Sequence, residues 1–93
     1  MLSTSDSITA QNTYSDQVFI NPGAFHFSLT GTWVATVYVQ RKDQALIAWD
    51  DVDSFTANTQ KYGTESVGAY YRFGEKTGGY TSGTAIGKIS QEG

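Results

Sequence analysis

The sequence contains no cysteine, a single histidine and a single proline. Without a thiol there is no disulfide framework and no thiolate ligand or nucleophile. One histidine with no cysteine leaves no ordinary four-ligand structural zinc site, so neither metal nor cofactor is expected. Basic residues are also few. The six (Arg41, Lys42, Lys61, Arg72, Lys76 and Lys88) are scattered and outnumbered by nine acids, for a formal net charge of −3. A nucleic-acid binder concentrates Lys and Arg into a stripe that displaces counterions, so no nucleic-acid partner is expected. No run approaches the length of a membrane span. The start, Met1-Leu2-Ser3-Thr4-Ser5-Asp6-Ser7, has neither the basic nor the apolar part of an export signal. The expectation is a soluble protein made in the cytoplasm, with no membrane partner.

What the chain does hold is aromatic, β-branched and glycine-rich. Its 93 residues include two Trp, six Tyr, five Phe and ten Gly. A chain this short buries only roughly 60 to 65% of its unfolded surface, which allows one core and leaves little room for a deep catalytic cleft. Leu, Ile, Val and Phe make up only about a fifth of the residues, near the level at which chains stay disordered. The aromatic side chains, each with a large area to bury, argue for a folded domain. With spaced glycines as turn formers, the composition is that of an all-β domain.

The clearest strand is Gly68-Ala69-Tyr70-Tyr71-Arg72-Phe73-Gly74-Glu75-Lys76-Thr77. Ala69, Tyr71 and Phe73 fall on one face, and Tyr70, Arg72 and Gly74 on the other. Thr84 to Gln91 alternates in the same way, with Ala85, Gly87 and Ile89 inward. Upstream, Gln17 to Ile20 ends at the turn signal Asn21-Pro22-Gly23. Phe25, Phe27 and Leu29 then define the inner face of 24–30. Gly31-Thr32 is expected to close a hairpin onto a long strand from Trp33 to Arg41. Arg41 to Gln44 reads as a charged turn, Ala45 to Trp49 and Ser54 to Ala57 as short strands, and Asn58 to Val67 as a crossing loop. About seven strands at short intervals with one long crossing predict a two-sheet antiparallel β-sandwich, immunoglobulin/fibronectin-like or jelly-roll-like. Residues 1–16 are polar and are expected to form an N-terminal arm, with 17–93 as the sandwich domain.

Candidates for chemistry are weak. His26 has no recognisable base partner or second ligand. Asp50, Asp51 and Asp53 lack the spacing of a calcium loop, because Val52 and Phe55 stand where ligands or glycine are needed. Gly79-Tyr80-Thr81-Ser82-Gly83 has a threonine where a nucleophile elbow has its serine, and no histidine follows it. The expectation is therefore a protein that is not an enzyme. Exposed tyrosines are the stronger signal, since they anchor protein interfaces or stack on sugar rings.

Several segments together resemble a known group of proteins. They are Pro22-Gly23-Ala24-Phe25, Ser28 to Trp33, Thr36 to Arg41, Trp49-Asp50-Asp51-Val52, Phe55 to Asn58, Gly68 to Gly74 and Gly78 to Thr84. Over residues 17–91 the chain resembles small β-sandwich virion structural proteins of tailed bacteriophages, of the head decoration or cement type. It departs from them at Lys42-Asp43-Gln44-Ala45, where a glycine-rich turn is expected. The resemblance implies a capsid-surface location in the virion, the major capsid protein or another virion protein as partner, a homo-oligomer, and no catalytic residues. Contacts are expected from the arm, through Leu2, Ile8 and Tyr14, and from Tyr70 and Tyr80 as aromatic anchors. The alternatives are a ring-forming tail or neck component and a carbohydrate-binding module using exposed tyrosines.

Overall fold

A computed structural model describes residues 2–43, 48–76, 78 and 80–91. Among these the chain forms nine strands and no helix. The strands are β1 (Leu2–Ile8), β2 (Thr13–Tyr14), β3 (Val18–Ile20), β4 (Gly23–Ala35), β5 (Val37–Asp43), β6 (Asp50–Phe55), β7 (Thr59–Glu65), β8 (Ala69–Glu75) and β9 (Tyr80–Gln91). The first sheet has the order β1-β9-β4-β7. The second runs β2-β8-β5-β6, with β3 pairing beside β2 on the same edge of β8. Every pairing is antiparallel. The two sheets make the expected β-sandwich.

The core comes from the inward positions of both sheets. The first sheet supplies Ile8, Phe27, Leu29, Ala85 and Ile89, and the second Val18, Ile20, Val37, Val39, Ala69, Tyr71 and Phe73. Phe25, Trp33 and Phe55 pack against its rim. The alternation read in 69–73 and 85–89 is thus the alternation of the structure. Gly87 lies under the ring of Phe73, where a Cβ would stand 2.5 Å from a ring carbon. The glycine there makes room for a core aromatic of the opposite sheet.

Several expectations are corrected. Gly31-Thr32 does not turn: β4 continues to Ala35, paired with β9 through Gly31↔Ala85, Thr32↔Thr84 and Trp33↔Gly83. Gly31 has φ +102° and would place a Cβ 2.4 Å from the carbonyl oxygen of Thr84, so its glycine serves close approach within a paired strand. The chain changes sheets at Thr36 instead, which splits the expected strand 33–41 between β4 and β5. The expected crossing loop 58–67 contains β7, an edge strand on β4 with Gly23↔Glu65 through Leu29↔Thr59. Its inward position Gly63 is filled by the Phe25 ring, and its outward Tyr62 is exposed, so no apolar alternation marks it. The charged turn 41–44 is the end of β5 as far as Asp43, and Asp50 to Asp53 belong to β6. Of the expected strand 45–49, residues 45–47 lie outside the described residues, and Ala48 and Trp49 are not in a strand.

The segment expected as a polar arm supplies β1 and β2. Leu2–Ile8 pairs along β9 from Leu2↔Gln91 to Ile8↔Ala85, and Thr4 and Ile8 face the core. Between β2 and β3 the edge is kept in register by Ser15. Its N–H donates to the Phe73 carbonyl at 2.8 Å, and its hydroxyl accepts from the Phe73 N–H at 3.1 Å.

Candidate binding face

The outer face of the second sheet gathers side chains that the sequence holds far apart. On β8 the outward positions are Tyr70, Arg72 and Gly74. On β5 they are Tyr38, Gln40 and Lys42, and the register sets Gln40 opposite Arg72 and Lys42 opposite Tyr70. Beside them stand Phe19 of β3, opposite Tyr70, and Tyr14 of β2, opposite Gly74. Gly74 must lack a side chain, because a Cβ would lie 2.2 Å from the Thr13 carbonyl and 2.6 Å from the Tyr14 ring. That absence leaves room for Tyr14 beside Gly74, with its ring next to Arg72.

Cations and rings alternate across this face. The Arg72 guanidinium carbon lies 4.1 Å from the Tyr14 ring centre and 4.4 Å from that of Trp49. Lys42 Nζ lies 5.1 Å from Trp49 and 5.5 Å from Tyr70, whose ring meets Phe19 edge-on at 5.3 Å. Lys76 Nζ stands 4.4 Å from Tyr38. These distances are those of cation–π contacts. Hydrogen bonds tie the rest together: Arg72 Nε donates to Gln40 Oε1 at 2.8 Å, Gln40 Nε2 donates to Asp51 Oδ1 at 2.9 Å, and Lys76 pairs with Asp51. Lys76 and Gln40 hold the Asp51 carboxyl below its ordinary range, whereas burial against the rings lowers the pKa of Arg72.

Beneath this face, on the inner side of β5 and β8, an ion pair joins the two sheets. Glu65 at the end of β7 accepts from Arg41 Nε at 2.7 Å and Nη2 at 2.9 Å, from the Tyr71 hydroxyl at 2.8 Å, and from the N–H groups of Val67 and Gly68 at 3.0 and 3.1 Å. The Arg41 hydrogen bonds hold the Glu65 carboxyl down at about 2, while burial and the Glu65 charge push the Tyr71 hydroxyl up to about 12. A charge with this many donors is fully satisfied out of water, and it fixes β5 and β8 against β7. The outer face is therefore presented on a rigid support.

The expected contact residues are only partly brought together. Tyr14 and Tyr70 both belong to the face. Ile8 is 0% exposed in the core and offers nothing to a partner in this fold. Leu2 is placed by its backbone opposite Gln91 in the first sheet. Tyr80 opens β9, also in the first sheet, and its hydroxyl donates to the Gly83 carbonyl at 2.8 Å. Residues that carry the face but escape a sequence reading are Arg72, Lys42, Gln40 and Trp49. From sequence the two cations are members of a scattered set, and only strand pairing makes them neighbours. A signal does exist for Arg72, which shares the outward face of its strand with Tyr70.

Other candidates are separated by the fold. Asp51 bonds to Gln40 and Lys76, whereas Asp53 pairs with Lys61 at 2.6 Å across the open side between β6 and β7. Among the described residues no group of three or more His, Asp or Glu gathers as a metal site would require. The His26 ring meets Tyr62 at 4.6 Å, tilted by 41°, on the outside of the first sheet. The open side between β6 and β7 holds a cleft of about 180 Å³ whose lining includes Phe25, Phe27, Phe55 and Tyr71.

The fold and this face define a two-sheet antiparallel β-sandwich with an aromatic and cationic outer face. No family model matches the chain, and neither a curated protein nor a solved structure shows significant similarity to it.

Proposed function

We propose that this chain is a non-enzymatic structural protein of a tailed bacteriophage virion, a capsid decoration or cement protein that docks on the assembled head. The observation that carries the docking part is the outer face of the second sheet. Tyr, Trp and Arg are the residue types that dominate the binding energy of protein interfaces, and here Tyr14, Trp49, Tyr70 and Arg72 meet on one surface. Arg72 is held by the Gln40–Asp51 hydrogen bonds and the rings pack against Arg72 and Lys42, so little side-chain freedom at the centre of the face remains to be lost on binding. The virion part rests on the resemblance of residues 17–91 to phage β-sandwich proteins. The partner on this reading is the major capsid protein. Binding that favours the assembled state stabilises it in proportion to occupancy, and a symmetric oligomer would span neighbouring capsid subunits.

Sugar stacking on the same rings is less favoured by the geometry. Trp49 already has Arg72 and Lys42 against it, and Tyr14 has Arg72. The test is the copy number of the protein in purified particles, by quantitative mass spectrometry against the major capsid protein. A ratio near one, or a simple fraction of it, is expected. A ratio of a few per cent would move the protein to the tail or neck, and absence from the particle would overturn the reading.

A further inference from the structure

Arg72 combines three features that do not ordinarily occur together on the surface of an acidic protein. Its guanidinium lies against two aromatic rings, Tyr14 and Trp49. Its Nε is tied to Gln40, which sets the plane of the group. No carboxylate lies within ion-pair distance of it among the described residues, and its two terminal nitrogens donate no hydrogen bond there, although neither is a buried orphan. Residues 44–47 contain no acid that could supply the missing charge. Lys42, against the same Trp49 ring, is likewise without a carboxylate within ion-pair distance among the described residues. In a chain with nine acids and six bases, these two neighbouring cations have no carboxylate within ion-pair distance among the described residues.

We propose that the Arg72 fork, with Lys42 beside it, is a carboxylate-recognition point that receives an aspartate or glutamate side chain from the surface of a protein partner. The inference rests on the reading of this face as a protein-docking surface and names the chemistry of its centre. The two terminal nitrogens of a guanidinium whose plane is already fixed match the two oxygens of a carboxylate, and little further ordering is needed. The rings exclude water from one guanidinium contact after another, so an incoming charge is felt more strongly than at an open surface lysine. The arriving acid also relieves a like-signed pair, Arg72 and Lys42. A polyphosphate backbone fits less well. The third cation of the face, Lys76, is already neutralised by Asp51, whose own charge borders the site.

The test needs no particle. A short oligoglutamate peptide is titrated into the ¹⁵N-labelled protein, and the Arg72 Nε–H and Trp49 indole N–H signals are followed, with a single-stranded oligonucleotide of equal charge in a parallel titration. Saturable shifts at both side chains with the peptide are expected. Arg72→Gln should weaken binding by about tenfold or more, the scale of one charge-assisted bidentate contact. Arg72→Lys should fail to restore it, because an ammonium has no fork. Lys42→Met, which keeps the apolar stem against Trp49, should weaken binding about two- to fivefold by removing the neighbouring charge. Each variant is first checked for the dispersed amide spectrum of the folded protein. Absence of shifts, equal affinity in Arg72→Gln, or preference for the oligonucleotide would overturn the proposal. The two readings fail separately: peptide binding lost with full copy number in particles sinks only the carboxylate site. Peptide binding kept with the protein absent from particles sinks only the virion assignment.

Discussion

Glu65 and Glu75 are both shut away from water, yet only Glu65 has hydrogen-bond partners. Glu65, held down at about 2 from an ordinary 4.5, contributes stability that is fully present above pH 4.5 and is lost as pH falls toward 2. Glu75 is 0% exposed with neither oxygen bonded, and burial pushes its carboxyl up from 4.5 to about 7. Its sign is the reverse. The folded state keeps the proton after the unfolded chain has lost it, so stability falls as pH rises from 4.5 to about 7 and levels off above. A shift of this size corresponds to about 3 kcal/mol for each group. The protein should therefore be most stable near pH 5. Glu75→Gln should be more stable than the parent by about 1 to 3 kcal/mol at pH 8 and nearly equal to it at pH 4, measured by urea unfolding. The same difference at both pH values would contradict a buried, unpaired Glu75. At this scale the sequence is partly legible. Period two puts Tyr71 and Phe73 inside, and it puts Glu75 inside with them by the same count. The partners of Glu65 lie 24 residues upstream in Arg41 and six downstream in Tyr71, and no local pattern announces such a set.

Among the elements, those buried on one full face are the ones the sequence marks. β8 and the C-terminal half of β9 alternate because each has a core on one side and solvent or a polar face on the other. β7 carries no such mark. It is an edge strand whose inner space is taken by the Phe25 ring above Gly63. Glycine is ambiguous in the same way. At 31 it reads as a hairpin turn but is a point of close approach inside the β4–β9 ladder, and only the pairing partner distinguishes the two. Gly87 gives the most direct test of such a role. Gly87→Ala forces a methyl group into the Phe73 ring and should cost about 1 to 3 kcal/mol, the range of core overpacking. Combining it with Phe73→Leu, which vacates part of that space, should cost clearly less than the sum of the two single changes, measured in a double-mutant cycle. Simple additivity would mean that the ring does not occupy the space over Gly87.

Across the whole molecule, the two sheets differ in what they present. The first shows polar and isolated apolar side chains, among them Tyr62 at 76% exposure and Ile86 at 47%. The second shows the continuous set from Phe19 through Tyr70, Lys42, Trp49 and Arg72 to Tyr14. Tyr14 and Tyr70 were reachable from sequence as aromatic points in polar surroundings. Their junction was not, because it depends on β2 and β5 flanking β8 on opposite sides and on the bare backbone at Gly74. The measurement that bears most directly on docking through this face is hydroxyl-radical footprinting of the protein free and bound to purified particles. Oxidation of Trp49, Tyr14 and Tyr70 should fall on attachment, while that of Tyr62, on the other sheet, should not change. Protection of Tyr62 with Trp49 and Tyr70 labelled as in the free protein would place the contact on the wrong side of the sandwich and contradict it.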